Sequence, residues 1–178
     1  METRMLFAGF GGQGLLFMGK VLAYAGMLKD KQVTWIPSYG PEMRGGTANC
    51  SVVISDEEIA SPIVNRPDIL VAMNQPSLDK FGLKVKDQGL IIVNSSIVKN
   101  IPEFSGCNVI KVPANDLAQD LGTVKIANIV VLGVMLKKID FLSKVDIINA
   151  LTEIVPKGRE KILEMNKLAV EKGYSLGK

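Results

Sequence analysis

Met5-Leu6-Phe7-Ala8-Gly9-Phe10-Gly11-Gly12-Gln13-Gly14-Leu15-Leu16 is the stretch that decides how this 178-residue chain is read. A short apolar run enters a glycine-rich turn, and a helical pattern follows at once. Gly9, Gly11 and Gly14 stand at the spacing G-x-G-x-x-G between an expected strand and an expected helix. Glycines so placed let the backbone turn tightly, approach a phosphate unobstructed, and aim the free amides of the next helix at negative charge. Gly9, Phe10, Gly11, Gly12, Gln13 and Gly14 are therefore candidate ligand-binding residues.

A dinucleotide site would also need an acidic residue roughly 20 positions further on, at the end of the second strand, to hold the ribose hydroxyls. The second strand here reads Val33-Thr34-Trp35-Ile36 and enters Pro37-Ser38-Tyr39, with Asp30 before it and Glu42 well past it. Ordinary NAD binding is thereby disfavoured. Two readings stay open: a different phosphate-bearing ligand, such as one carrying the pyrophosphate of coenzyme A, or a glycine turn that only packs helix against sheet.

The loop Pro37-Ser38-Tyr39-Gly40-Pro41-Glu42-Met43-Arg44-Gly45-Gly46-Thr47 leaves the carboxyl end of that second strand. Ligands of open α/β sheets bind at that end. Arg44 offers a bidentate contact to phosphate or carboxylate, and Gly45-Gly46 bring amides close. Tyr39, Glu42, Arg44, Gly45 and Gly46 join the candidate site. The structural alternative is a surface pair between Arg44 and Glu42 in a turn shaped by glycine and proline.

Beyond the first helix, apolar runs at Ile69–Ala72, Leu90–Val93 and Asn108–Val112 read as buried strands, with helices expected at Pro76–Phe81 and Pro113–Gly122. Thr47–Ser55 reads as a further strand, and Glu57–Ser61 as its antiparallel return. Val124–Leu136 is apolar almost all round and reads as a buried helix. Ser143–Glu153 and Pro156–Lys172 read as amphipathic helices, the last closing near Gly173. The expected fold is one α/β domain over residues 1–178. It has three layers, a mostly parallel Rossmann-like sheet with helices on both faces, and an antiparallel hairpin at its edge.

Composition narrows the chemistry. Apolar residues make up 47% of the chain, enough for a full core, and the net charge is +3 without a basic run, which argues against a nucleic-acid partner. No stretch approaches the roughly 20 apolar residues of a membrane span, and the glycine-interrupted amino terminus does not read as a signal peptide. The expected compartment is the cytoplasm. There is no histidine, which removes the commonest general base. Cys50 and Cys107 cannot ligate an iron-sulfur cluster by themselves and read as small buried residues.

Four segments carry a family resemblance: Gly9-Phe10-Gly11-Gly12-Gln13-Gly14-Leu15, Tyr39-Gly40-Pro41-Glu42-Met43-Arg44-Gly45-Gly46, Cys50-Ser51-Val52-Val53-Ile54-Ser55 and Lys125-Ile126-Ala127-Asn128-Ile129. Together they resemble the gamma subunit of 2-oxoacid:ferredoxin (acceptor) oxidoreductases over nearly the whole chain. The resemblance implies an assembly that decarboxylates a 2-oxoacid on thiamine diphosphate, passes electrons through iron-sulfur clusters to ferredoxin, and transfers the acyl group to coenzyme A. It implies alpha, beta and delta-type partner subunits that carry thiamine diphosphate, Mg and the clusters. This chain would hold part of coenzyme A. The sequence lacks the Gly-Asp-Gly and Asn-Asn signature of thiamine sites, in keeping with that division. In single-chain pyruvate relatives a lysine follows the glycine turn, and Lys20 falls at the matching place. No catalytic residue and no metal ligand are expected here. A purely structural subunit and a free-standing nucleotide domain are the rival readings.

Overall fold

A computed structural model describes residues 1–39 and 47–176. Six strands form one sheet: β1 (Glu2–Phe10), β2 (Gln32–Tyr39), β3 (Thr47–Ser55), β4 (Ile69–Ala72), β5 (Leu90–Asn94) and β6 (Asn108–Val112), in the order β2-β3-β1-β4-β5-β6. The pairs β1·β4, β4·β5 and β5·β6 are parallel, whereas β3 runs antiparallel to both neighbours. Only β3 is reversed.

The antiparallel element is thus a β2–β3 hairpin, and Glu57–Ser61 is not a strand. Both edges of β3 are already occupied, by β2 from Gln32↔Ser55 to Tyr39↔Ala48 and by β1 from Glu2↔Ser55 to Phe10↔Thr47. No backbone edge is left for a return strand, so the chain after Ser55 crosses instead to β4. The expected strands at 69–72, 90–93 and 108–112 all form.

Six α-helices among the described residues complete the fold: α1 (Leu15–Met27), α2 (Gln75–Phe81), α3 (Ala114–Asp120), α4 (Ala127–Leu136), α5 (Lys144–Ile154) and α6 (Glu160–Leu176). Alternation along β1 divides the core. Met5 and Phe7 face a large cluster built with α1, α4, α5 and α6, while Leu6 and Ala8 face a smaller one with Leu78 of α2, Val98 and Phe104. Helices therefore cover both faces. All ten residues of α4 are buried, following a 3-10 turn at Val124–Ile126. Burial of each large aliphatic there is worth about 1.5–3 kcal/mol.

Helix α6 departs from expectation at both ends. Pro156 starts a turn in which the Arg159 amide donates to the Pro156 carbonyl (3.2 Å) and Gly158 takes φ +87°, so the helix begins only at Glu160. Gly173 does not end it. That glycine sits inside the helix, 3.0 Å from the Gly133 Cα once a Cβ is placed on it, because α4 and α6 cross backbone to backbone. Cys107 is half-buried rather than buried, its thiol directed at the Lys86 carbonyl (3.6 Å).

Candidate functional site

The turn from β1 into α1 is closed by its own glutamine. The Gln13 amide donates to the Phe10 carbonyl (3.2 Å), and the Phe10 amide donates to Gln13 Oε1 (2.7 Å). Gln13 Nε2 then donates to the Met73 carbonyl (3.1 Å), while the Met73 amide donates to the Ala8 carbonyl (2.8 Å). One side chain thereby fastens the β1 turn to the segment leaving β4. With both side-chain polar atoms engaged inside the protein, Gln13 holds the turn in place at the border of the crevice.

Three glycines of the turn, Gly9, Gly12 and Gly14, answer three different demands. A Cβ on Gly9 would overlap Gln13 Oε1 and stand 3.0 Å from the Met73 Cβ, so Gly9 makes room for the glutamine. Gly14 takes φ +72° as the N-cap of α1, and a Cβ there would lie 2.5 Å from Asn128 Nδ2. That nitrogen donates to the Gly14 carbonyl at 2.8 Å. Gly12 differs from both: it takes φ +98° and a Cβ on it would meet nothing within 4 Å. Of these three glycines, Gly12 faces open space.

That space is a crevice of about 140 Å³ bordered by Gly12, Gln13, Met73, Asn115, Val124 and Lys125. It lies beyond the carboxyl ends of β1 and β4, where the chain has finished building one side of the sheet and crosses to build the other. Ligand crevices of open α/β sheets occur at such reversals. Among the described residues no side chain caps the amino terminus of α1, so there its first-turn amides and the positive end of its dipole are left for another partner. Lys125 adds an exposed cation. Asn115 is held by Asn94, whose Nδ2 donates to Asn115 Oδ1 at 2.9 Å. The combination is suited to a small anionic group.

Of the residues singled out in the sequence, the crevice brings together Gly12 and Gln13, with Gly9, Phe10 and Gly14 shaping the turn behind them. Gly11 lies partly exposed beside Gly12. Lys20 is exposed one and a half turns into α1 and does not border the crevice. Glu42, Arg44, Gly45 and Gly46 lie outside the described residues, as does the side chain of Tyr39, whose backbone ends β2. Met73, Asn115, Lys125 and Asn128 were not assigned to the site from sequence. Lys125 and Asn128 belong to a stretch that carried the family resemblance, which was the available signal. Asn115 had none.

A family model described as pyruvate ferredoxin/flavodoxin oxidoreductase matches residues 4–176. The chain belongs to that family. The ketoisovalerate oxidoreductase subunit VorA of Methanothermobacter thermautotrophicus is 45% identical over 175 residues, which cover 97% of this chain and 36% of VorA. This chain therefore spans about a third of that relative's length. The 2-oxoglutarate synthase subunit KorC of Methanocaldococcus jannaschii is 38% identical over 182 residues, covering 100% of this chain and 95% of KorC.

Among solved structures, the gamma subunit of a keto/oxoacid ferredoxin oxidoreductase from Geobacter sulfurreducens superposes with a TM-score of 0.84 at 32% identity, covering 98% of each chain. The 2-oxoglutarate:ferredoxin oxidoreductase of Magnetococcus marinus, solved with 2-oxoglutarate, coenzyme A and succinyl-CoA bound, gives a TM-score of 0.89 at 22% identity. That match covers 99% of this chain and 31% of the other, and it establishes a shared fold. The three-layer α/β architecture read from the sequence is thus that of the family's gamma subunits.

Proposed function

We propose that this chain is the gamma-type subunit of a multi-subunit 2-oxoacid:ferredoxin oxidoreductase and that its crevice holds phosphate of coenzyme A during acyl transfer. The observation that carries this reading is Gly12. Its left-handed φ and open surroundings serve neither Gln13 nor Asn128, and it faces the crevice beside Lys125 and a helix end that no described side chain caps. A phosphate seated there would accept from main-chain amides and neutralise the lysine.

Size limits what the crevice takes. Sites that enclose a drug-sized molecule run to about 300–1,000 Å³, so a space of about 140 Å³ fits a phosphate portion and leaves the rest of the carrier outside. In this reading the pantetheine arm extends toward alpha, beta and delta-type companions, which carry thiamine diphosphate, Mg and iron-sulfur clusters and pass electrons to ferredoxin. The contribution of this chain is proximity: fixing one end of the carrier reduces the freedom its thiol must lose to reach the acyl group. No nucleophile or general base of this chain takes part, and Lys20 together with the Tyr39–Gly46 segment is kept as a further contact to the same carrier. Among the described residues no helix is long and apolar enough to cross a membrane, which accords with the cytoplasmic setting proposed here.

The test uses the assembled complex. Lys125→Ala should raise KM for coenzyme A by about tenfold, the loss of one charge-assisted contact, with KM for the 2-oxoacid unchanged. Gly12→Val should do the same or more. Unchanged KM for coenzyme A in both variants, with assembly intact, would sink the proposal and leave a structural subunit.

A further inference from the structure

At the end of the sheet opposite the crevice, the approaches to β1, β4 and β5 enclose a second concavity of about 370 Å³. Its walls are Arg4, Ser61, Ile63, Asn65, Arg66 and Lys86. Every polar side chain among them can donate a hydrogen bond, and none is a carboxylate.

Two of the three cations, Arg4 and Lys86, are held by built contacts. Asp68, at the entry to β4, accepts the Arg4 amide on Oδ2 and the Lys86 ammonium on Oδ1, each at 2.7 Å. The Asp68 amide donates back to the Arg4 carbonyl (2.8 Å), and the Lys86 amide donates to the Pro67 carbonyl (3.0 Å). Arg4 Nε donates to Glu2 Oε1 (2.7 Å) and Nη1 to the Ile63 carbonyl (2.9 Å), with the side chain 22% exposed. Those two bonds leave the remaining guanidinium hydrogens of Arg4 free of the contacts that fix it. The Ser61 oxygen accepts the Ile63 amide (3.3 Å), which leaves its hydroxyl hydrogen to donate.

Glu2 and Asp68 offset two of the three positive charges, and neither of them borders the concavity. Arg66 supplies the surplus: it forms no ion pair among the described residues. The result is a pocket with net positive charge and donors converging from three separate segments of chain.

We propose that this concavity is a binding site for a phosphate group, distinct from the crevice at the other end of the sheet. Two guanidinium forks, an ammonium and a hydroxyl match the several acceptor oxygens of a phosphate. The volume exceeds that of the bare ion, so a phosphorylated small molecule fits as well as free phosphate. The inference is independent of the acyl-transfer role argued above, because no residue is shared between the two sites.

The experiment is a titration of the full chain with inorganic phosphate at constant ionic strength and neutral pH, followed by backbone amide chemical shifts. Saturable shifts centred on Arg4, Ser61, Asn65, Arg66 and Lys86 are expected. Arg66→Ala should weaken binding by about tenfold, as loss of one charged contact does, with the melting temperature unchanged. Lys125→Ala, at the opposite end, should leave it unaltered. A nucleoside monophosphate that binds more tightly than phosphate identifies a phosphorylated small molecule as the natural occupant, whereas equal affinity identifies the free ion. Shifts that fail to saturate, that spread over the surface lysines, or that survive in both Arg66→Ala and Lys86→Met would overturn the proposal.

Discussion

Asn128 Nδ2 donates to the Gly14 carbonyl at 2.8 Å, joining positions 114 residues apart in the chain. The same carbonyl accepts the Met18 amide at 3.0 Å as the first bond of α1. Asn128 is 2% exposed, and its Oδ1 has no partner among the described residues. It fixes where α1 starts relative to α4, and hence where the uncapped amides of α1 point.

Asn128→Ala removes one donor from a carbonyl that keeps another, so a stability loss of about 1–2 kcal/mol is expected. Asn128→Asp places a carboxylate in the same buried position and should cost more. Its cost should shrink on acidification, because the protonated acid can again donate to Gly14. The slope of denaturant midpoint against pH in the two variants checks this.

The α4–α6 crossing makes a sharper demand. A Cβ on Gly133 would stand 2.9 Å from the Tyr174 amide nitrogen, and one on Gly173 would overlap the Val130 carbonyl. Backbone atoms cannot step aside as a flexible side chain does. Gly133→Ala and Gly173→Ala should each destabilise by about 3 kcal/mol or prevent folding. Gly158→Ala is the control: φ +87° with nothing within 4 Å limits its cost to about 1–2 kcal/mol.

Gln13→Ala cuts the tie between the Phe10 amide and the Met73 carbonyl, at the border of the crevice. A purely structural role would lower stability alone. If the turn presents its amides to coenzyme A, the variant should also raise KM for coenzyme A by about three- to tenfold, on the order of 1 kcal/mol. In the assembled complex KM for the 2-oxoacid should be unchanged.

Cys50 is fully buried, and desolvation pushes its thiol from 9.0 up to about 12, against a smaller opposing contribution from Trp35. A group whose folded value is raised keeps its full contribution below the unfolded value and loses it as pH climbs from about 9 toward 12. Wild-type stability should therefore fall above about pH 9 more steeply than that of Cys50→Ala. A thiol reagent should modify half-buried Cys107 in the native protein and reach Cys50 only on unfolding.

Elements with a strong periodic or apolar signature were legible in the sequence. The strands at 69–72, 90–94 and 108–112, the glycine turn and α1 through α5 all stand close to where residue pattern puts them. What escaped was decided by tertiary partners. Whether Glu57–Ser61 becomes a strand depends on whether β3 has a free edge, and pairing with β1 and β2 is invisible to local pattern. Gly173 has the look of a helix stop until α4 arrives at van der Waals distance. At the site, the spacing of Gly9, Gly11 and Gly14 located the turn, whereas the glycine that borders the crevice is Gly12, which that spacing skips. Asn115 and Lys125 reach the crevice from chain more than 100 residues downstream, which no spacing rule near position 10 can report.

The insertion of β3 between β1 and β2 acts as a ruler. The strand carrying the glycine turn and the strand ending at Tyr39 point the same way, and their carboxyl ends are separated by two inter-strand steps, on the order of 10 Å. A molecule that grips both ends must be at least that long. Free phosphate falls short of that length, and an extended coenzyme spans it.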